Sequence, residues 1–214
     1  MDAGEQSDET FGAPSGDWAG GPADGAMEGA RPRAGGNWFV GAWPSPQVAH
    51  EIAAWSQPTF EPGGWHCSLA GDLHATLAFL GQLEVERAGD LARVLELELR
   101  GVRKTRLECG ELRGFPAQEE FKRVAYLSIV DDCAGAWWHE AVERIGRACA
   151  RAGLPQPEPG IPHLTLARAG SAGSALPHTS APGWEFRVDA LHLACRSEGT
   201  RHGRYMSFAR ISCG

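Results

Sequence analysis

Residues 73–81 read Leu73-His74-Ala75-Thr76-Leu77-Ala78-Phe79-Leu80-Gly81, and residues 162–168 read Pro162-His163-Leu164-Thr165-Leu166-Ala167-Arg168. From each histidine to the glycine seven residues on, Gly81 and Gly170, the two stretches agree at five of eight positions. A match of that length arises by chance in a chain of this size, so its weight lies in the residue types. In a strand the side chains at i and i+2 share a face, so each histidine projects with its threonine. Leu73, Ala75 and Leu77, or Leu164 and Leu166, then face the core. If the two strands lie side by side, two imidazoles and two hydroxyls surround one cavity. That set suits a phosphodiester: hydroxyls hold non-bridging oxygens, a neutral imidazole deprotonates the nucleophile, and a protonated one donates to the leaving oxygen, with no metal required.

A single His-x-Thr on a strand is more simply a satisfied or surface histidine beside a β-forming threonine; the second copy, about one lobe later, turns the reading toward a paired site. Zinc reads less well, because each strand supplies one ligand and no carboxylate or close cysteine accompanies either copy.

Working outward, residues 72–80 and 163–168 are short apolar strands bounded by turn residues. Asn37-Trp38-Phe39-Val40-Gly41-Ala42-Trp43 is another, stopped by Pro44 and Pro46. Ser45 is an N-cap with Pro46 in the first turn, and Val48, Ile52 and Trp55 recur at helical spacing until Pro58. A helix over 86–100 carries Leu91, Val94, Leu95 and Leu99 on one face. Residues 106–112 and 123–130 read as strands joined across Gly114-Phe115-Pro116. Trp138, Ala141, Val142, Ile145, Ala148, Cys149 and Ala152 form an amphipathic helix closed by Gly153. A loop over 169–182 and strands over 184–196 and 204–212 complete the order β-α-β-α-β-β-α-β-β-β. This pattern predicts an α+β fold of two pseudo-symmetric lobes, antiparallel-rich sheet with outer helices around a central cleft, rather than a doubly wound parallel sheet.

With 214 residues, 43% hydrophobic and 22% charged, the chain is neither collagen-like, nor disordered throughout, nor a disulfide scaffold, and it has room for one catalytic or binding unit. The net charge of −7 argues at first against a nucleic-acid partner, since phosphate binding needs Lys and Arg. Its distribution changes that: seven acids against Arg31 and Arg33 put −5 on residues 1–35 and leave only −2 on the rest. That Gly- and Ala-rich acidic segment has no apolar periodicity, which predicts a disordered tail over 1–35 ahead of a domain over 36–214. A solvated extension is the simpler role for it, an RNA mimic the more specific one. The six cysteines are dispersed without a C-x-x-C pair and read as buried free thiols. No apolar run approaches a membrane span and no signal-peptide pattern opens the chain, so a cytoplasmic protein is expected.

These motifs resemble those of the two-histidine phosphoesterase superfamily, and within it the RNA 2′,3′-cyclic phosphodiesterases, also called the 2′-5′ RNA ligase family. The resemblance spans about residues 37–212 and rests on the opening Trp38-Phe39-Val40-Gly41-Ala42-Trp43-Pro44, both histidine motifs and the spacing between them. It implies a bilobal fold with a central cleft, His74 and His163 as the acid/base pair, Thr76 and Thr165 as phosphate ligands, and Arg168 as added charge. It gives His163 the role of base toward water and His74 that of acid toward the 3′ oxygen. The implied reaction opens a terminal 2′,3′-cyclic phosphate to a 2′-phosphomonoester, with its mirror joining a 5′-hydroxyl RNA end through a 2′-5′ link. No cofactor or metal is implied; the partners are RNA 3′ ends or nucleotides carrying the cyclic phosphate, and the protein is expected to be monomeric. Arg196-Ser197-Glu198 and Gly203-Arg204-Tyr205 depart from the Glu-Ser and Gly-x-x-Tyr pattern of relatives near the C-terminus. The alternative in another class is a non-catalytic nucleotide- or RNA-end-binding module of the same fold, which turnover of a cyclic mononucleotide would separate.

Weaker candidates surround this set. Lys122, Arg123, Arg168, Arg196, Arg201, His202 and Arg204 form either an RNA-facing rim or ordinary surface charge. His192 shares a strand face with Arg196 and is more simply structural. Trp137, Trp138 and Trp184 are candidates for base stacking, with core packing the simpler reading for Trp138. His66, His139 and His178 carry no pattern.

Overall fold

In the computed structural model, which describes residues 31–32, 36–198 and 204–214, the strands pair antiparallel throughout into one curled sheet backed by three helices. In chain order the elements are β1 (Arg31–Pro32), β2 (Asn37–Ala42), α1 (Pro46–Phe60), β3 (His66–Cys67), β4 (Ala75–Gln82), α2 (Val85–Leu99), β5 (Thr105–Phe115), β6 (Val124–Asp131), α3 (Ala136–Arg151), β7 (Glu158–Pro159), β8 (His163–Arg168), β9 (Glu185–Val188), β10 (Ala190–Glu198) and β11 (Tyr205–Ser212). One half of the sheet runs β11-β10-β2-β4 and the other β8-β6-β5-β9. They meet at a single residue pair, Ala75 of β4 opposite Leu164 of β8. The two expected lobes are therefore halves of one sheet pinched between the histidine motifs.

The helices follow their sequence signals at the start and depart from them at the end. Ser45 caps α1 by accepting from the Val48 amide at 3.4 Å, with Pro46 in the first turn where no amide is needed. The predicted stop at Pro58 is wrong by two residues: α1 continues to Phe60. Proline there deprives only the Ala54 carbonyl of its helical partner, and Ala54 is exposed, so water can serve it. In α2 the leucines 91, 95 and 99 are fully buried, each worth roughly 1.5–3 kcal/mol of burial. α3 starts under the Asp131 carboxylate, which accepts from the amides of Cys133, Gly135 and Trp138 at 2.8–2.9 Å.

Three strand boundaries are corrected. The first motif strand starts at Ala75 rather than at residue 72, because residues Ala70–Asp72 form a 3-10 turn. The β5–β6 hairpin turns after Phe115, so Gly114 and Phe115 belong to β5. The predicted strand over 184–196 is two: β9 pairs with β5, and past Asp189 β10 pairs with β2, so the chain crosses there from one half of the sheet to the other. Burial shows the change of environment, alternating along β9 and then continuous from Ala190 to Cys195, where both faces are covered.

Of the predicted tail, residues 1–30 and 33–35 lie outside the described residues, while Arg31 and Pro32 pair with Glu198 and Ser197. All six cysteines are free, four of them buried and Cys67 and Cys133 half-buried. No helix among the described residues is long and apolar enough to cross a membrane.

Candidate active site

The turn at Ala70–Asp72 places His74 at the entry to β4, where its ring Nδ1 meets the Asp72 carbonyl at 2.6 Å. His163, the first residue of β8, repeats the geometry on the Ile161 carbonyl at 2.7 Å. A carbonyl can only accept, so in both neutral rings Nδ1 carries the proton and Nε2 the lone pair. The same i−2 bond fixes the tautomer and the orientation of both imidazoles.

Both rings line one cavity of about 420 Å³, together with Thr76, Thr165 and Arg168. The five residues singled out from the sequence thus share one concave surface, because β4 and β8 are neighbours at the pinch of the sheet. His74 sits in an aromatic box: Phe39 and Trp43 stack on it at 4.7 and 5.1 Å, and Tyr205 meets it edge-on at 4.8 Å. Burial in that box pushes its pKa down to about 4, opposed by the Asp72 carbonyl and reinforced by His163 and Arg168. His163, flanked by the edges of Tyr126 and Phe115, is also lowered, by burial first and then by Arg168. In both rings burial thus favours the neutral form.

The cavity contains groups that the sequence reading missed. Asp72 is 6% exposed; its Oδ1 accepts from the Arg204 backbone amide at 2.6 Å, and its Oδ2 has no hydrogen bond. Burial raises its pKa, against the pull of Arg204 and Arg196. A carboxylate does accompany the first motif, contrary to expectation, and the available signal was an acid two residues ahead of His74. His66, set aside as patternless, pairs across strands with Arg168 and lines the same cavity, as does the exposed ring of Phe79.

The weaker candidates separate. Arg196 and Arg204 line the cavity, whereas Lys122 and Arg123 do not. Lys122 instead donates to the Pro116, Ala117 and Glu119 carbonyls of the β5–β6 turn, and Arg123 pairs with Glu119. Arg201 and His202 lie outside the described residues. His192 is buried, joins Ser207 Oγ at 2.8 Å and packs edge-on to Trp43, so it supports the aromatic box from behind. Trp137 and Trp138 are core residues whose indole N–H groups donate to the Arg103 and Gly160 carbonyls, and Trp184 packs against Trp55.

Metal-ligand geometry is gathered elsewhere. Among the described residues, the group of His, Cys, Asp and Glu whose ligand atoms fall within 4.8 Å of one another is Asp131, Asp132 and Cys133, outside the cavity. Those carboxylates already cap α3 and hold Thr105 and Arg103.

No protein-family model matches the chain, and no curated protein matches it. Solved structures do. E. coli LigT in its apo form superposes with a TM-score of 0.65 at 22% identity, over 83% of this chain and 97% of LigT. A structure described as a phosphoesterase gives 0.64 at 21% identity over 83% and 98%, and TT0787 of Thermus thermophilus gives 0.62 at 22% over 82% and 97%. LigT has also been solved with 3′-AMP. The curled antiparallel sheet, its three helices and near-complete coverage of these structures establish that the chain has the same fold as E. coli LigT, TT0787 and the structure described as a phosphoesterase.

Proposed function

We propose that the chain is an RNA 2′,3′-cyclic phosphodiesterase, belonging by function as well as fold with the two-histidine phosphoesterases. The observation that carries this reading is the duplicated imidazole geometry. Two rings, each locked by Nδ1 on the carbonyl two residues before it, leave two Nε2 atoms as the reactive nitrogens of one cavity that also holds two threonines and Arg168.

In this mechanism the cyclic phosphate lies between the motifs. Thr76 and Thr165 donate to its non-bridging oxygens, and Arg168 balances its charge. One Nε2 takes a proton from water as the water oxygen bonds to phosphorus. The P–O3′ bond breaks, and the other imidazolium gives its Nε2 proton to O3′, leaving a 2′-phosphomonoester and a 3′-hydroxyl. The bound anion raises both imidazole pKa values from their lowered resting positions, which supplies the protonated partner. With a 5′-hydroxyl in place of water, the same groups form a 2′-5′ link.

The test is incubation with an RNA ending in a 2′,3′-cyclic phosphate, in buffer with excess EDTA, followed by mapping of the terminal phosphate. A 2′-phosphate formed at an undiminished rate is expected. A 3′-phosphate overturns the leaving-group assignment, and turnover that needs a divalent ion overturns the two-histidine mechanism.

A further inference from the structure

Outside the cavity, most arginines of this acidic chain close on carboxylates: Arg93 on Asp90, Arg106 on Glu185, Arg144 on Glu140, Arg187 on Asp189. Inside it, Arg168 and Arg196 have no carboxylate within ion-pair distance among the described residues, and Arg204 has Asp72 only at 3.8 Å. Three guanidiniums against one carboxylate leave a surplus of two positive charges. A cyclic phosphodiester carries one negative charge, fewer than the arginines of this cavity offer when substrate binds.

The surplus has a place. Arg168 lies on the half of the sheet that carries His163, paired across strands with His66. Arg196 and Arg204 lie on the other half, Arg196 paired across β10 and β11 with Tyr205, whose ring meets His74 at 4.8 Å. Asp72 holds the Arg204 backbone by its amide and leaves the guanidinium out of hydrogen-bond reach, since the Nε–Oδ2 separation is 3.8 Å. Arg204 thereby lines the cavity with its guanidinium donors unspent among the described residues, Arg196 lines the same cavity, and guanidinium forks match phosphate oxygens.

Resting on the proposed function, we propose that Arg196 and Arg204 form a second phosphate position, for the phosphate on the 5′ oxygen of the nucleoside that bears the cyclic phosphate. In RNA that phosphate is the linkage to the preceding nucleotide; in a free nucleotide it is a 5′-monoester. The cavity volume of about 420 Å³ accommodates a nucleotide rather than a bare phosphate.

The experiment compares kcat/KM for adenosine 2′,3′-cyclic phosphate with a free 5′-hydroxyl, the same compound with a 5′-phosphate, a dinucleotide ending in the cyclic phosphate, and that dinucleotide with an uncharged methylphosphonate linkage. A 5′ phosphate is expected to raise kcat/KM by about tenfold or more. The gain is lost with the methylphosphonate, and Arg196→Gln and Arg204→Gln each compress the ratio toward one. Because the ratio is internal to each variant, a general loss of activity does not mimic it. A gain in the dinucleotide arm assigns the position to RNA, and a gain only in the monoester arm assigns it to a nucleotide. Equal kcat/KM across all substrates, or a preference unchanged in both variants, overturns the proposal. If no substrate turns over, the functional reading fails, and calorimetric binding then decides the subsite. Adenosine 3′,5′-bisphosphate must bind about tenfold tighter than 3′-AMP, through Arg196, or the subsite fails too.

Discussion

At the scale of single residues the duplicated histidine carries the chemistry, and its test is substitution. General acid and general base catalysis each contribute about 10²–10⁴ in rate, so His74→Ala and His163→Ala should each lower kcat by at least about 10², near 2.7 kcal/mol, with the circular dichroism spectrum unchanged. Near-full activity in either variant would remove that ring from the mechanism. The division of labour is separable: a substrate with a good leaving group at the 3′ position needs little protonation and rescues the variant lacking the acid. The resemblance makes His74 the acid, so rescue confined to His74→Ala supports it and rescue confined to His163→Ala reverses it. The burial of His74 weighs the other way, since in the free protein its ring is the harder to protonate, with a pKa near 4. The pH dependence has a definite sign. The reaction needs one ring charged and one neutral, and both free-protein pKa values lie below the ordinary 6.5. The optimum of kcat/KM therefore falls on the acid side of neutrality, and kcat/KM declines as pH rises from 6.5 to 8. The optimum of kcat lies higher, because bound phosphate raises both rings. A kcat/KM that climbs steadily through that range contradicts the burial argument.

At the scale of elements, what positions the motif strand is its close backing. β7 lies along β4, with the Gly160 amide donating to the Leu77 carbonyl at 2.7 Å and Trp138 of α3 donating to the Gly160 carbonyl. A Cβ built on Gly160 would stand 1.9 Å from the Thr76 carbonyl oxygen, on the backbone of the residue assigned to hold phosphate. Gly160→Ala must therefore push β7 and β4 apart, at a cost of about 1–3 kcal/mol. The expected outcome is a clear fall in Tm together with a fall in kcat. An unchanged Tm would mean that β4 is not fixed by this contact. Such an effect is invisible to strand propensity, because Glu158-Pro159-Gly160 reads only as a turn.

At the scale of the whole molecule, residues 1–30 contain seven acids and no Lys or Arg, so the remainder has no net charge by the same count. We propose that this segment is a solvated tail. Deleting 1–30, which spares β1, is expected to shift Tm by less than about 2 °C and to leave turnover of a cyclic mononucleotide unchanged. RNA affinity at low salt rises, because a repelling charge is gone, and the gain fades as salt is added. A fall of several degrees would show that the segment docks on the sheet.

Read alone, the sequence determined what depends on neighbours along the chain. The His-x-Thr pairs, the alternation along β8, the Ser45 cap and the leucine stripe of α2 are local, and each appears in the structure where its spacing puts it, whereas β4 is buried without alternation from Ala75 to Ala78. The tertiary structure alone decided which residues meet. Ala75 faces Leu164 across the pinch, and Asp72 holds the Arg204 amide from 132 residues away. Arg196 and Arg204 line the cavity while Lys122 and Arg123, equally basic on paper, are spent on the β5–β6 turn. Burial, not residue type, sets the pKa of His74, and burial is a property of packed neighbours brought together by sheet curvature. A one-dimensional pattern fixes the face on which a side chain stands, but not what the opposite face of the cleft will present to it.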